Sequence, residues 1–251
     1  MSRPVRILLG LIVVGVVVGA AAMAYLFVRG GSGEASVSIQ DAAATRAAAN
    51  VSDDPPESAT EEATQVAESA GETVVFNIVP EESEVRFELD EDLMGTRTTV
   101  VGRTNQVAGE IRVNFDDPAQ TEVSTIIINV RTLVTNNEFR NRAIRGEILL
   151  SQRDEYEFGQ FEPTEITGLP ESVTIGEPIS FQITGNLTLR GVSNPVTFDV
   201  TVTPVSETEL QGSASAVVDR TSYGMEIPRA PGVANVEEEV ELYIDFVAEA
   251  A

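Results

Sequence analysis

Runs of acidic residues are the part of this sequence whose chemistry could support catalysis or metal binding. Three runs stand out, at Asp90–Asp92, Asp116–Asp117 and Glu237–Glu239. A cation site needs carboxylates that converge from defined spacings, and a calcium loop alternates its acids around a central Gly. These runs are consecutive and lack that pattern, so we interpret them as solvated loops and strand ends.

The side chains on which most enzymes depend are missing. The chain of 251 residues contains no Cys and no His, and all 16 of its basic residues are Arg. Thiolate, imidazole and lysine Schiff-base chemistry are therefore excluded. We predict that the protein is not an enzyme and needs no metal or organic cofactor. The competing hypothesis of an enzyme that acts through carboxylates alone has little support.

A group of arginines is the remaining chemical candidate. Arg can bind an anionic headgroup through two parallel hydrogen bonds, and the alternative is pairing with acids that lie nearby in the sequence. The formal net charge of −24 and the lack of a basic stripe predict no nucleic-acid partner. The arginines are Arg140, Arg142, Arg145 and Arg153, and the nearby acids are Glu138, Glu147, Asp154 and Glu155.

Residues 1–29 are typical of a membrane anchor. Ile7–Val28 is a run of 22 uncharged, mostly apolar residues, and about 20 such residues span a bilayer core. Arg3 and Arg6 precede the run, which predicts a cytoplasmic N-terminus and an extracytoplasmic location for the rest of the chain. The alternative is a signal peptide cleaved near Ala20–Ala22, which would give a secreted protein.

Residues 30–73 have the composition of a disordered acidic linker. They are rich in Ala, Ser, Thr and acids, include Pro55-Pro56, and have almost no large apolar side chain. Such a segment cannot offset the entropy of ordering, although Asp41–Ala49 could form a transient helix. A coil of this length spans roughly 35–40 Å, so the following domain could reach away from the membrane.

Residues 74–251 have the period of two that is typical of strands with one buried face. Gly185–Val200 is the clearest example, because two alternating runs around Gly191 predict a hairpin. About ten short strands predict an antiparallel sandwich or barrel, and the barrel is favoured because closure removes exposed edges. Asn136–Leu150 breaks the pattern and predicts one short helix. This helix could cover the strand Thr121–Thr132, which is apolar on both faces.

The inward positions of the predicted barrel are almost all Val, Leu, Ile or Phe. A small barrel can enclose a cavity for an apolar ligand, or the same side chains can fill its interior. The alternation is compatible with both interiors. It predicts the following lining and ligand-binding residues: Phe87, Leu89, Phe115, Ile126, Ile128, Phe181, Ile183, Leu187, Leu189 and Phe198.

Several segments between Val74 and Ala248 together resemble one known family. The most specific is Gly185–Val200, GNLTLRGVSNPVTFDV, and the others are Val101–Ile111, Ile126–Leu150, Phe161–Pro170 and Tyr223–Met225. On these residues the domain resembles the YceI-like family of lipocalin-like, polyisoprenoid-binding domains.

This resemblance implies an all-β fold, namely an extended antiparallel lipocalin-like β-barrel of about eight strands with one short helix. It also implies a long isoprenoid chain inside the barrel, such as a quinone tail or a polyprenyl lipid, and no catalysis. Many members carry a His in the second strand and an Arg-Asp pair at the start of the helix. This chain has Glu88–Asp90 and Phe139–Asn141 at those places.

Together these observations predict a membrane-tethered domain that binds or carries an isoprenoid lipid. The membrane contact would be made through Ile7–Val28, and a homodimer is compatible with the sequence. The alternative is a structural or adhesive extracytoplasmic domain with a filled core and no ligand.

Overall fold

In the part of the chain that the structure describes, alternating apolar and polar side chains form an antiparallel sheet of 13 strands. The computed structural model describes residues 31–50 and 73–251 of the chain. The strands are β1 (Thr73–Ile78), β2 (Glu84–Leu93), β3 (Thr96–Thr104), β4 (Val107–Ala108), β5 (Glu110–Asn114), β6 (Glu122–Val123), β7 (Ile126–Asn129), β8 (Phe158–Thr167), β9 (Ile179–Leu189), β10 (Val192–Ser206), β11 (Glu209–Asp219), β12 (Val233–Ala234) and β13 (Glu239–Ala250).

The sheet curls so strongly that the two strands at the ends of its path, β4 and β6, come close to each other. Its order is β4-β7-β8-β9-β10-β11-β13-β1-β5-β6, and β2 pairs with β3, β12 and β13. β4 and β5 are neighbours in sequence, as are β6 and β7. Val107 pairs with Ile128, and Ile111 pairs with Val123, so the two ends of the path meet. The prediction of an all-β, antiparallel fold is therefore confirmed.

The number of strands differs from the prediction of about eight because several long segments are interrupted. Predicted strand Thr121–Thr132 contains β6, β7 and a 3₁₀ turn at Val130–Thr132. The predicted hairpin in Gly185–Val200 is confirmed, with Arg190 and Gly191 at its turn, where both φ angles are positive (52° and 75°). This two-residue turn matches the twist of the flanking strands.

The predicted helix over Asn136–Leu150 is present but shorter and less regular. Helix α2 spans Glu138–Ala143 and continues as a π-helical turn over Ile144–Ile148. The side chain of Asn137 caps its start by accepting bonds from the N–H groups of Phe139 and Arg140. The π turn contains Gly146, whose poor helix propensity allows the regular spacing to break.

Helix α1, Ile39–Asn50, lies inside the segment that was predicted to be a disordered linker. Ile39 is buried against Ala108 and Ile127 on the outer face of β4 and β7. The linker prediction is therefore wrong for residues 31–50, since the sheet supplies the apolar surface that the segment lacks. α1, and not α2, covers the outer face of β7. The prediction that the helix in Asn136–Leu150 covers this strand is therefore wrong. Residues 51–72 and the predicted span Ile7–Val28 lie outside the described residues.

Glu157 connects the N-terminal segment to the sheet. Its fully buried carboxylate accepts hydrogen bonds from the backbone N–H and hydroxyl of Ser36 and from Nδ2 of Asn129, and it lies 3.1 Å from Nη1 of Arg131. A buried carboxylate is tolerated when charge and hydrogen bonds satisfy it. The docking of residues 36–50 thus combines an apolar helix contact with a buried polar one. Among the described residues, no helix is long and apolar enough to cross a membrane.

Candidate functional site

The interior of the curled sheet contains a main cavity of about 800 Å³. Its walls come from strands β2, β3 and β7 to β13, together with α2 and the loop between β11 and β13. This volume falls in the range of about 300–1,000 Å³ that is typical of small-molecule sites. A second, smaller cavity of about 110 Å³ lies farther along the interior. The interior is therefore not completely filled by its own side chains.

The ten residues predicted from inward alternation all line one or both cavities. Their contact with a ligand stays a prediction. Those on the main cavity are Phe87, Leu89, Ile128, Leu187, Leu189 and Phe198. Those on the smaller cavity are Phe115, Ile126, Phe181, Ile183 and again Phe198.

Phe161 and Phe198 lie where the two cavities adjoin, and both residues line both of them. Their ring centroids are 4.9 Å apart at an interplanar angle of 73°, which is an edge-to-face contact. The Phe161 ring lies across Gly185 of β9. A Cβ atom at that position would come within 2.7 Å of Phe161 Cζ, so the glycine provides the space for the ring.

The open end of the main cavity, which we call the mouth, is formed by α2 and the loop before β12. Phe139 of α2 is half exposed, and Arg229, Ala230 and Pro231 of the loop are exposed. These residues combine apolar side chains with one guanidinium. The loop was missed as part of the lining because it has no strand period, and its only local signal is Tyr223–Met225, which the family resemblance includes.

A buried ion pair near the mouth connects strand β2 to helix α2. Arg140 Nη2 lies 2.6 Å from Glu91 Oε1, and both side chains line the main cavity. Glu91 is 5% exposed. The interpretation of Asp90–Asp92 as a solvated run is therefore wrong for its central residue, because every second residue of a strand faces inward.

The other arginines of the candidate group pair with acids near them in sequence. Arg142 and Arg145 each approach Glu138 Oε1 at 3.4 Å, and Arg153 approaches Glu155 at 3.6 Å. Burial lowers the pKa of the Arg145 guanidinium. The usual pKa of an arginine is far above 7. These three follow the pairing alternative, and only Arg140 of the group lines the main cavity.

The acidic runs do not converge into a metal centre. Asp90, Asp92 and Glu237 surround Arg97 in ion pairs, while Asp117 begins a 3₁₀ turn and binds the Gln120 amide. Within residues 31–50 and 73–251, no three acids come together in a way that could hold a metal ion. The arrangement offers an apolar chamber with a polar mouth, which suits binding of an apolar chain with a polar end.

The loop after β11 adds an aromatic wall to the main cavity. Tyr223 is 2% exposed and lines the cavity together with Met225. Burial raises the pKa of the Tyr223 phenol above its usual value near 10. The phenol is therefore uncharged at neutral pH and adds apolar area to the wall.

Comparisons with known proteins agree with this geometry. Residues 76–248 match the YceI-like domain family. A solved polyisoprenoid binding domain from Saccharophagus degradans, implicated in plant cell wall breakdown, is 14% identical with a TM-score of 0.54, covering 71% of this chain and 99% of that one. BcnA from Burkholderia cenocepacia is 19% identical with a TM-score of 0.51, covering 68% of this chain and 98% of that one.

At these identities the two solved structures show a shared fold. A search of curated proteins finds no match to the chain. The family match spans more than half of the sequence and includes β1 to β13 almost completely. It confirms the resemblance first seen in Gly185–Val200, and the chain therefore belongs to the YceI-like domain family.

Proposed function

We propose that residues 73–251 bind a long isoprenoid lipid, of the quinone or polyprenyl type, in the main cavity and perform no catalysis. The observation that carries this proposal is the apolar chamber of about 800 Å³. The polyisoprenoid binding domain from Saccharophagus degradans, which shares this fold, supports the same ligand class. A domain with a structural or adhesive role alone has no need of such a chamber.

The energetics favour a carrier that exchanges its ligand with membranes. Withdrawing one CH₂ group from water contributes about 0.8 kcal/mol, so one five-carbon isoprene unit contributes about 4 kcal/mol. Release of the lipid into water is therefore strongly unfavourable. Transfer into a bilayer costs little, because the acyl chains are as apolar as the cavity wall.

Tethering at a membrane would serve this exchange. The 22-residue apolar run Ile7–Val28 supports a single-pass anchor with the binding domain outside the cytoplasm. Fractionation of cells and protease treatment of intact spheroplasts test this part. We expect the full chain in the membrane fraction, with the binding domain accessible to protease added from outside. A soluble, shortened chain would support the cleaved, secreted alternative instead.

The binding test compares two neighbouring positions on β11. Val218 lines the main cavity and is 9% exposed, whereas Val217 points away from it and is 60% exposed. Full-length protein is purified from a quinone-containing host, extracted with organic solvent and analysed by mass spectrometry. We expect stoichiometric isoprenoid in the wild type and in Val217→Phe, and several-fold less in Val218→Phe. An empty extract from folded wild-type protein would contradict the proposal.

A further inference from the structure

The interior is divided by an aromatic partition, defined here as Phe161 and Phe198. Both are nearly buried, at 6% and 5% exposure, and they extend from β8 and β10 on either side of β9. The main cavity of about 800 Å³ lies on one side and the small cavity of about 110 Å³ on the other. Ile244 of β13 is the third residue that lines both.

The two rings are held in place by their surroundings. Their edge-to-face contact, with centroids 4.9 Å apart, gives each ring a defined orientation. Gly185 lies between the two strands, opposite Pro163 and Val196, and lets the Phe161 ring lie against the backbone of β9. Rotation of either ring out of the partition would need a change in this packing.

The space beyond the partition is apolar and matches the main cavity in chemistry. Its lining is made of Val, Ile, Leu, Phe, Ala and Pro side chains, with Thr121 as the one hydroxyl residue in the wall. An isoprenoid tail would be as stable there as in the main cavity. The partition, and not the polarity of the smaller cavity, therefore separates the two.

We propose that Phe161 and Phe198 act as a chain-length stop, which limits the isoprenoids that this protein binds to those that fit the main cavity. This inference rests on the proposed lipid-binding function. A tail that enters at the mouth ends against the two rings. Additional isoprene units of a longer lipid then stay outside the mouth in contact with water, so they add no affinity.

The test replaces one ring and measures which chain lengths bind. Phe198→Leu shortens the partition and joins the cavities, while the residue stays apolar. Delipidated full-length protein in detergent is mixed with farnesol, geranylgeraniol and solanesol, and the bound prenols are counted by native mass spectrometry. For Phe198→Leu we expect the bound ratio of solanesol to farnesol to rise by about 10-fold or more, because one further isoprene unit enters the joined cavity. Transfer of that unit from plain water would raise the ratio about 1,000-fold, and the detergent lowers this gain because it also covers the exposed part of the tail.

Two control variants each remove a phenylalanine ring that lines one cavity alone. Phe87 lines only the main cavity and Phe181 only the smaller one. Phe181→Leu enlarges only the smaller cavity, so we expect the ratio to stay at the wild-type value. Phe87→Leu widens the main cavity without opening a path past the partition, so we expect a much smaller rise than in Phe198→Leu. An equal rise in Phe181→Leu would overturn the proposal, because it would show that tails already reach the smaller cavity.

A blocking substitution keeps the test decisive even if Phe198→Leu folds poorly. Ala214 of β11 lines only the smaller cavity, and Ala214→Leu fills part of that space. In the wild-type background we expect no change in the ratio, whereas a fall would refute the stop. In the Phe198→Leu background we expect the added affinity for solanesol to disappear.

The outcomes separate this inference from the proposed function. Wild-type protein that binds no prenol at all contradicts lipid binding itself. The other outcome is that the wild type binds prenols while folded Phe198→Leu and Phe161→Leu leave the ratio of solanesol to farnesol unchanged. That result contradicts only the chain-length stop.

Discussion

The buried pair of Glu91 and Arg140 offers a direct test of how the mouth is built. The side chains are 6% and 17% exposed, and their charged atoms lie 2.6 Å apart. Arg140→Met keeps the apolar stem of the side chain and removes its charge. The carboxylate of Glu91 then stays buried without its cation, and removal of one partner of a buried pair costs about 3–5 kcal/mol. Because Arg140 is partly exposed, we expect about 3 kcal/mol.

The double variant Glu91→Leu/Arg140→Met separates the cost of an unpaired charge from a loss of packing. An apolar pair of similar volume can replace a buried ion pair with little loss of stability. We therefore expect its free energy of unfolding to return to within about 1 kcal/mol of the wild type. The measurement is urea denaturation followed by circular dichroism, with the two single variants completing the cycle.

Arg153 supplies the matched control for this cycle. It pairs with Glu155 at 3.6 Å, but the two side chains are 50% and 60% exposed. We expect Arg153→Met to cost less than about 0.5 kcal/mol, because solvent screens such a pair. The reasoning would be refuted if Arg140→Met were as stable as Arg153→Met, or if the double variant were no more stable than Arg140→Met.

Three further predictions follow from other buried contacts. Glu157→Gln weakens the bonds to Ser36 and Arg131, so we expect the free energy of unfolding to fall by about 2 kcal/mol. We also expect faster hydrogen exchange in residues 36–50, and unchanged exchange would contradict this docking. In the wild type, the free energy of unfolding should fall above about pH 10, because Tyr223 ionises at a lower pH in the unfolded chain than in the folded protein. Tyr223→Phe should reduce this fall. If urea denaturation at several alkaline pH values gives the same fall in the wild type and the variant, Tyr223 does not contribute. Gly185→Ala places a Cβ 2.4 Å from the carbonyl oxygen of Glu162 and 2.7 Å from Phe161 Cζ, so we expect a cost of about 2 kcal/mol and a lower melting temperature. An unchanged melting temperature would mean that neither the β8 backbone nor the Phe161 ring depends on this space.

Local periodicity predicted the strands and the direction of their side chains. Leu187 and Leu189 alternate with Thr188 and Arg190, and that pattern suffices to assign the first two to the interior. Whether the interior was filled or hollow could not be predicted in the same way. It depends on how far the opposing walls stand apart, and no local pattern encodes that distance.

Contacts between distant parts of the chain were missed for the same reason. Glu91 and Arg140 are 49 positions apart, and Ser36 and Glu157 are 121 apart. Each residue taken alone looks like a surface residue, because its charge or polarity is satisfied only by a partner that folding brings near. α1 was missed in a related way. Its apolar face is narrow, and the surface that stabilises it belongs to β4 and β7.

The docking of Ser36 on Glu157 limits how far the binding domain could move from the membrane. If Ile7–Val28 spans a membrane as we propose, the seven residues 29–35 are all that separates the span from the docked segment. Fully extended, they reach about 25 Å, less than the thickness of a bilayer core. Residues 51–72 connect α1 to β1 and add nothing to this length. Exchange would then be confined to the membrane that holds the anchor, and delivery to a more distant membrane would first require α1 to detach.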